Sequence, residues 1–523
     1  MSVARVLSRT EFGLDAPQVE VEVHLSAGLP VFTIVGLPAQ VVRESRERVR
    51  AALLNSGYQF PAGRITVNLA PVELSKQGGR FDLPIALGLL AASGQVRAHS
   101  TRPMECYGEL GLAGELKPVA GLFLAALHAS RVGHALIVPS ANVEEVGLSG
   151  HSSAYPAFDL RAAAALLSAD ASAARICPIA GTGGPRDSVA PCAAHAAPAM
   201  PLGDVVGQWQ AKRALLIAAA GSHSVLMTGP PGSGKTMLAA RLPALLPPLS
   251  RAEALEVAAI VALSGTRLDP RRWRVRPFRC PHHTASAHAI VGGGPAVRPG
   301  EISLAHQGVL FLDELPEFDR RVLEALREPL ETGTITIARA ARSVTLPARF
   351  QLIAAMNPCP CGYLGDSLQD CRCSPARIER YRQRISGPLL DRIDIRVNVA
   401  RLPPAQLAQA GGIGVPEAGA PEAGATPDPV AWVRAARARR VRHSGALCAF
   451  LPAAELRRCC PLHREAALLL RRSCQRLAIS ARGMQRLLAL SRTIADLADS
   501  DTIEAAHIAE AIQLRRPLEM RPQ

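Results

Sequence analysis

The strongest constraint on the fold is a glycine-rich segment that directly follows a short apolar run. The run is residues 224–228, and the segment is Gly229-Pro230-Pro231-Gly232-Ser233-Gly234-Lys235-Thr236. Between a buried strand and a helix that begins at Lys235, such a loop points backbone N–H groups at phosphates. The lysine ammonium then contacts the β- and γ-phosphates, and the Thr236 hydroxyl binds Mg²⁺. The sequence therefore predicts an α/β fold with a P-loop that uses ATP and Mg²⁺.

A second apolar run ends in two carboxylates. Residues 309–312 precede Asp313 and Glu314. ATP hydrolysis needs one carboxylate on the magnesium side and one beside the attacking water, so we assign Asp313 to the metal and Glu314 to the water. Alone, the run also fits an ordinary buried strand with exposed acids at its end. The phosphate loop upstream favours the hydrolytic interpretation.

Two polar residues follow in an order that resembles the AAA+ ATPases. Asn357 comes directly after the apolar run 350–356, where an amide suits orienting the attacking water. In the AAA+ ATPases an arginine near Arg392 reaches the nucleotide of the neighbouring subunit. The resemblance implies that Asn357 is a sensor and that Arg392 acts across a subunit boundary. A surface salt bridge of Arg392 with Asp391 or Asp394 is the alternative.

Several blocks are more specific than this order of elements. They include Asn68-Leu69-Ala70-Pro71, Pro281-His282-His283-Thr284, Gly300-Glu301-Ile302-Ser303 and Asn357-Pro358-Cys359-Pro360-Cys361-Gly362. With them the chain resembles, over nearly its whole length, the magnesium-chelatase-like AAA+ ATPases of the YifB/ComM family. The resemblance implies a hexameric DNA helicase that drives branch migration of recombination intermediates during natural transformation, with single-stranded or branched DNA as partner.

The same resemblance assigns three more arginines. Arg482 is the second sensor, in preference to Arg486. Residues 334–346 alternate polar and apolar side chains on either side of a turn, which predicts a hairpin. This hairpin resembles the pre-sensor hairpin that projects into the DNA channel, with Arg339 and Arg342 at its tip. An ordinary surface hairpin is the alternative.

Two segments rich in Ala, Gly and Pro divide the chain, and both are typical of linkers. We predict an N-terminal Lon-protease-like α+β domain, a central AAA+ ATPase core with a four-cysteine loop, and a C-terminal helical lid domain. In chain order, the domains and linkers are residues 1–168, linker 169–201, core 202–402, flexible linker 403–430 and lid 431–523.

The N-terminal domain resembles the protease domain of Lon without its chemistry. Arg80 and Phe123 stand where that family has its nucleophilic serine and its lysine base. No activated hydroxyl is then available to attack a carbonyl, and Ser75 beside Lys76 is a weak substitute. We expect no catalytic dyad, and instead a scaffold that binds protein or DNA.

Four cysteines form two close pairs in the central domain: Cys359 with Cys361, and Cys371 with Cys373. Four thiolates at this spacing can satisfy tetrahedral Zn²⁺. Because C-x-C is less usual than C-x-x-C in zinc sites, four reduced thiols in a loop are the alternative.

Net charge and hydropathy limit the classes of partner that the protein can have. The formal net charge is +15, and residues 431–523 carry 17 arginines against 8 acidic residues. Such a surface favours a phosphate-rich partner, although a solvated helix face is the alternative for any single arginine. No apolar run approaches the roughly 18 residues that suggest a membrane span, and the start lacks a signal peptide. We expect a cytoplasmic protein without a membrane partner.

Two other functions stay open beside the DNA motor. One is the ATPase subunit of a metal chelatase, and the other is a protein-remodelling ATPase without DNA activity. The Lon-like module argues against the first, because chelatase ATPase subunits generally lack it. The basic C-terminal domain suits phosphate neutralisation better than porphyrin insertion. A ring-forming ATP hydrolase acting on DNA is the favoured prediction.

Overall fold

The computed structural model describes residues 2–76, 78–97, 103–168, 201–294, 297–339, 342–366, 368–403, 428–477 and 479–515. The chain forms two compact units, Met1–Ala194 with Arg251–Trp273, and His195–Ser250 with Arg274–Gln523. Residues 251–273, which the sequence places inside the central domain, thus pack with the N-terminal unit. The predicted linkers lie almost entirely outside the described residues, so their flexibility stays a prediction.

A seven-stranded mixed sheet forms the N-terminal unit, in the order β3-β4-β2-β1-β5-β8-β9. Val19, Val21 and Val23 of the second strand are fully buried, because alternate residues of a strand face the same side of a sheet. The strands of this unit are β1 (Ser2–Arg9), β2 (Gln18–Ser26), β3 (Val31–Val35), β4 (Arg64–Ala70), β5 (Met104–Cys106), β6 (Glu109–Leu110), β7 (Leu116–Lys117), β8 (Ala135–Pro139) and β9 (Ala154–Ala157).

Six α-helices complete the described part of this unit. They are α1 (Gln40–Asn55), α2 (Asp82–Ala92), α3 (Leu122–Val132), α4 (Val143–Leu148), α5 (Leu160–Ser168) and, from later in the chain, α8 (Arg251–Leu263). Helix α8 packs its apolar side on α3, where Phe123 and Leu124 meet Ala258 and Ala262. That packing explains why residues 251–273 belong to this unit.

The residues at the positions that the Lon resemblance assigns to the nucleophile and the base make structural contacts instead. Arg80 is buried, with its guanidinium 2.5 Å from Glu11 Oε1 and 2.7 Å from the carbonyl oxygen of Ala120. The ring of Phe123 is fully buried. Lys76 is buried too, donates to the carbonyl of Pro71, and has a pKa lowered by desolvation. These side chains serve packing and an internal ion pair.

A five-stranded, all-parallel sheet forms the second unit, in the order β11-β14-β17-β10-β18. Every residue of its central strands β14, β17 and β10 is buried, because both faces of the sheet are covered. The predicted strands and the predicted hairpin are present, and the α/β class is confirmed. The strands are β10 (Val225–Thr228), β11 (Phe278–Arg279), β12 (Gly292–Gly293), β13 (Arg298–Pro299), β14 (Val309–Leu312), β15 (Thr334–Arg339), β16 (Arg342–Pro347), β17 (Gln351–Met356) and β18 (Ile395–Asn398).

Helices surround this sheet, and the last five form the C-terminal region. Ile217 of α6, Val225 of β10 and Ile494 of α18 share one core, which joins that region to the sheet. The helices are α6 (Trp209–Gly221), α7 (Lys235–Leu245), α9 (Ala287–Val291), α10 (Glu301–Leu304), α11 (Arg320–Ala325), α12 (Pro329–Thr332), α13 (Pro375–Arg382), α14 (Gly387–Leu390), α15 (Pro429–Ser444), α16 (Ala453–Cys459), α17 (Arg464–Arg476), α18 (Ala481–Leu497) and α19 (Ala505–Arg515).

Strands β15 and β16 pair antiparallel as far as Arg339 opposite Arg342. Residues 340 and 341 and the side chains of Arg339 and Arg342 lie outside what the structure describes. Among the described helices, none combines the length and the apolarity needed to cross a membrane.

Candidate active site

The phosphate loop joins β10 to α7, as the glycine-rich segment predicts. Gly234 precedes the helix with a φ of +90°, a left-handed conformation that favours glycine. Lys235 Nζ turns back onto the loop and donates to the carbonyl oxygens of Gly229 at 2.7 Å and Pro230 at 2.9 Å. Burial lowers the pKa of Lys235, while Asp313 and Glu314 oppose that shift. The ammonium is therefore held where an anion can replace the carbonyls as its partner.

The two carboxylates after β14 have different surroundings. Thr236 Oγ1 donates to Asp313 Oδ2 at 2.7 Å, so a hydroxyl and a carboxylate oxygen already meet. Such hard oxygen ligands are those that Mg²⁺ prefers, and the pair fits the metal assigned to it. Glu314 has a φ of +53° and a half-exposed side chain, and its Oε2 lies 3.2 Å from Nδ1 of His283. Water can therefore reach Glu314, whereas Asp313 is tied to the loop helix.

Asn357 lies at the same edge of the sheet. Strand β17 pairs in parallel with β10 and β14, so the residues that follow these strands come together. Asn357 Oδ1 accepts from Lys235 Nζ at 3.3 Å. Burial is the main reason why the pKa of Tyr381 of α13 rises to about 12, and the nearby Asn357 backbone opposes that rise. The sequence offered no signal for Tyr381.

The two predicted arginines meet on one carboxylate. Glu331 of α12 pairs with Arg392 through one oxygen and with Arg482 through the other. The side chain of Arg392 is only 7% exposed and also donates to the carbonyl of Pro388 at 2.8 Å. The hydrogen bond from Arg392 is the main cause that lowers the pKa of Glu331. Arg486 pairs instead with Asp394, at 3.3 Å.

Neither alternative partner proposed from the sequence for Arg392 holds its guanidinium. The acid that does, Glu331, lies 61 residues earlier in the chain. Among the described residues, no hydrogen bond or ion pair joins Arg392 or Arg482 to the phosphate loop. Their roles toward nucleotide stay predictions.

The four cysteines form one cluster. Their sulfur atoms all lie within 4.8 Å of one another, and three of the separations are 3.3, 3.6 and 3.6 Å. Metal–sulfur bonds of about 2.3 Å would place tetrahedral thiolates about 3.8 Å apart. Burial opposes ionisation of Cys361, but N–H groups of Tyr363 and Arg372 outweigh it and lower its pKa to about 6. The cluster can hold a metal ion, and no other such group occurs in the described chain.

Several arginines of the C-terminal region form ion pairs within the fold. Arg440 and Arg492 are buried and both pair with Asp496, while Arg439 pairs with Asp499 and Asp501. Seven others have exposed side chains that form no ion pair or hydrogen bond with any residue that the structure describes: Arg434 of α15 and six on α16 and α17. These six, called here the free arginines of α16 and α17, are Arg457, Arg458, Arg464, Arg471, Arg472 and Arg476.

Three family models match the chain. One described as magnesium chelatase, subunit ChlI, matches residues 201–407, one described as subunit ChlI of Mg-chelatase matches 21–142, and its C-terminal model matches 427–515.

Similar proteins extend along the whole chain. YifB of Salmonella typhimurium is 47% identical over 515 residues, which cover 98% of this chain and 97% of that protein. The competence protein ComM of Haemophilus influenzae is 44% identical, with 98% of each chain covered. The magnesium-chelatase 38 kDa subunit of Rhodobacter capsulatus is 29% identical over 178 residues, which cover 31% of this chain and 51% of that protein.

Proposed function

Because the chain belongs to the magnesium-chelatase-like YifB/ComM family of AAA+ ATPases, we propose that it is a ring-forming, DNA-dependent ATP hydrolase. We propose further that it is a helicase that drives branch migration of recombination intermediates during natural transformation. The observation that carries the DNA assignment is the set of free arginines of α16 and α17. They lie in the same compact unit as the phosphate loop.

The residues at the sheet edge have separate tasks in this proposal. Lys235 leaves the carbonyls of Gly229 and Pro230 to contact phosphate oxygens. Glu314 accepts a proton from the attacking water on a carboxylate oxygen, and Asn357 orients that water. Thr236 and Asp313 would hold Mg²⁺, which would neutralise phosphate charge.

The arginines explain why a ring is part of the proposal. Arg392 stabilises the transition-state charge on the nucleotide of the neighbouring subunit, and Arg482 contacts the nucleotide from the C-terminal helices. Both must first leave Glu331, so nucleotide binding and release of that carboxylate are linked. A hexamer is the subunit number that the family resemblance supports.

Three finer assignments accompany the motor. The N-terminal unit is a Lon-like scaffold without a catalytic dyad, consistent with the buried Arg80 and Phe123. The helices of residues 431–523 are a lid over the nucleotide. The four cysteines hold Zn²⁺, because thiolate ligands in a tetrahedral set favour that ion.

Salt dependence tests the DNA surface. Replacing Arg471 and Arg472 by Gln is expected to reduce the slope of log affinity against log salt by about 0.9 per lost phosphate contact on duplex DNA. All sequences should weaken about equally, since backbone contacts carry no base information. The matched control is Arg131→Gln, which removes an exposed arginine from the N-terminal unit. An unchanged slope in the double variant would remove α17 from the DNA surface.

The hairpin β15–β16 gives a separate prediction. The double variant Arg339→Ala with Arg342→Ala should keep basal ATP turnover near the parental rate. It should lose most of its branch-migration activity, because in this proposal the tip contacts DNA and not the nucleotide. ATP turnover and displacement of a labelled strand from a branched substrate are measured together. Thr336→Ala with Thr345→Ala changes a cross-strand pair at 3.3 Å away from the tip and serves as control. If the arginine variant migrates branches at the parental rate, the hairpin tip does not take part in moving DNA.

The alternative is a chelatase-type or protein-remodelling ATPase without DNA activity. Partial similarity to the 38 kDa chelatase subunit favours it. ATP turnover is measured with single-stranded, duplex and branched DNA, and separately with a porphyrin. Stimulation by DNA supports the motor. Stimulation by porphyrin alone, or by neither, rejects it.

A further inference from the structure

The cysteine cluster is continuous with the strand that carries the sensor. Cys359 follows Asn357 by two residues, and α13 begins at Pro375, two residues after Cys373. The loop 359–373 therefore leaves β17 beside the nucleotide site and returns to the helix that contributes Tyr381. Whatever holds the four sulfurs together also sets the distance between the strand end and that helix.

The same loop lies against the phosphate loop. Gly362 has a φ of +88°, and a Cβ built on it would lie 2.6 Å from Cδ and 2.8 Å from Cγ of Pro231. Only glycine allows so close an approach without displacing the proline. Pro231 is part of the segment that surrounds the phosphates, so a shift of the cysteine loop is transmitted to that segment.

The far side of the loop is anchored as well. Asp366, whose side chain is only 1% exposed, lies 3.3 Å from Arg401. The cluster is therefore fixed between the phosphate loop, the sensor and the segment after β18. Four sulfurs within 4.8 Å make poor partners for one another as thiols, because S–H is a weak donor. A bound cation would supply the missing attraction.

We propose that zinc at this cluster is a structural part of the nucleotide site, which positions Asn357 and Pro231 for ATP hydrolysis. This inference rests on the proposed ATP hydrolysis but not on the proposed action on DNA. Loss of the ion lets the loop relax and moves Asn357 relative to Lys235. A displacement of about 1 Å at a reacting site can cost roughly 10²-fold in rate. Nucleotide affinity, which depends on Lys235 and the loop N–H groups, should change less than turnover.

The first test removes the ligands. Cys371→Ser with Cys373→Ser is compared with the parent and with Cys474→Ser, a cysteine of α17 outside the cluster. Zinc is counted by elemental analysis of protein purified without chelator, ATP turnover is measured without DNA, and affinity is measured with a fluorescent ATP analogue. We expect about one zinc per chain in parent and control. In the double variant we expect none, with turnover lower by roughly 10- to 100-fold.

The second test leaves the ligands in place. Gly362→Ala should retain its zinc yet lose turnover, because the added methyl group pushes on Pro231. Gly445→Ala is the matched control, with a φ of +71° and no atom within 4 Å of the added carbon. Because the ion is retained, a loss here cannot be ascribed to unfolding of the cluster.

Three outcomes would overturn the inference: a parent without zinc, a zinc-free double variant with parental turnover, or Gly362→Ala with parental turnover. Failure of the DNA proposal looks different. In that case DNA does not stimulate ATP turnover, while the zinc content and the effect of Gly362→Ala stay as expected.

Discussion

Glu314→Gln is expected to bind ATP as the parent does and to hydrolyse it roughly 10²- to 10⁴-fold more slowly, the range that general base catalysis typically contributes. The amide keeps the shape of the side chain but cannot accept the proton of the attacking water. Binding should persist because Lys235, Thr236 and Asp313 are untouched, and the contact of Thr236 with Asp313 does not involve Glu314.

Lys235→Ala provides the contrast. Its ammonium is the cation that the phosphates require, so this variant should lose tight ATP binding itself. Affinity is measured by equilibrium titration and turnover by phosphate release. The matched control is Glu317→Gln, a neighbouring acid that pairs with Arg384 outside the nucleotide site. Equal nucleotide affinity in Lys235→Ala and the parent would refute the assignment of the loop, and parental turnover in Glu314→Gln would refute the assignment of the base.

Arg392→Ala is expected to bind ATP normally and to lose turnover by a factor of about 10³, as other arginine fingers do. If Arg392 acts across a subunit boundary, mixing this variant with Lys235→Ala subunits should restore part of the activity. In a mixed ring, some interfaces join an intact loop to an intact arginine. Turnover of mixtures is measured at several ratios, after mixed assembly has been verified.

The contact of Arg392 with Glu331 demands a further control, because loss of turnover could also follow from a broken ion pair. Glu331→Gln removes the charge that holds Arg392 and Arg482 but leaves both arginines in place. We expect this variant to keep most of its turnover. A loss as large as that of Arg392→Ala, or no recovery in verified mixed rings, would assign Arg392 a structural role instead of action in trans.

The phosphate loop and the two strand ends were predictable because their signals are local. An apolar run, a glycine-rich turn and a helix start lie within fifteen residues, and backbone conformation there depends on near neighbours. The parallel order of β10, β14 and β17 then brings Lys235, Asp313 and Asn357 to one edge. The cluster of four cysteines was predictable for the same reason, because its two pairs lie close together in the sequence.

The partners of charged side chains were not predictable in this way. Arg392 and Arg482 share Glu331 from 61 and 151 residues away, whereas for Arg392 the sequence suggested the nearer acids Asp391 and Asp394. Arg440 and Arg492 count toward the basic charge of the C-terminal region. Because they are buried in ion pairs with Asp496, they do not present that charge at the surface. An ion pair depends on which side chains long-range packing brings within a few ångströms, and composition does not contain that information.

Two contacts depend on tertiary structure for the same reason. Residues 251–273 carry an ordinary helical pattern, and only their packing on α3 places them in the N-terminal unit. Gly362 looks like any loop glycine until the fold brings Pro231 within reach of its missing Cβ. The sequence by itself determined which side chains follow the strands, because a strand and the turn after it depend on residues close together in the chain. Only the tertiary structure decided which arginines stay free, which carboxylate holds the two predicted arginines, and what the cysteine loop touches, because those are contacts between segments far apart in the chain.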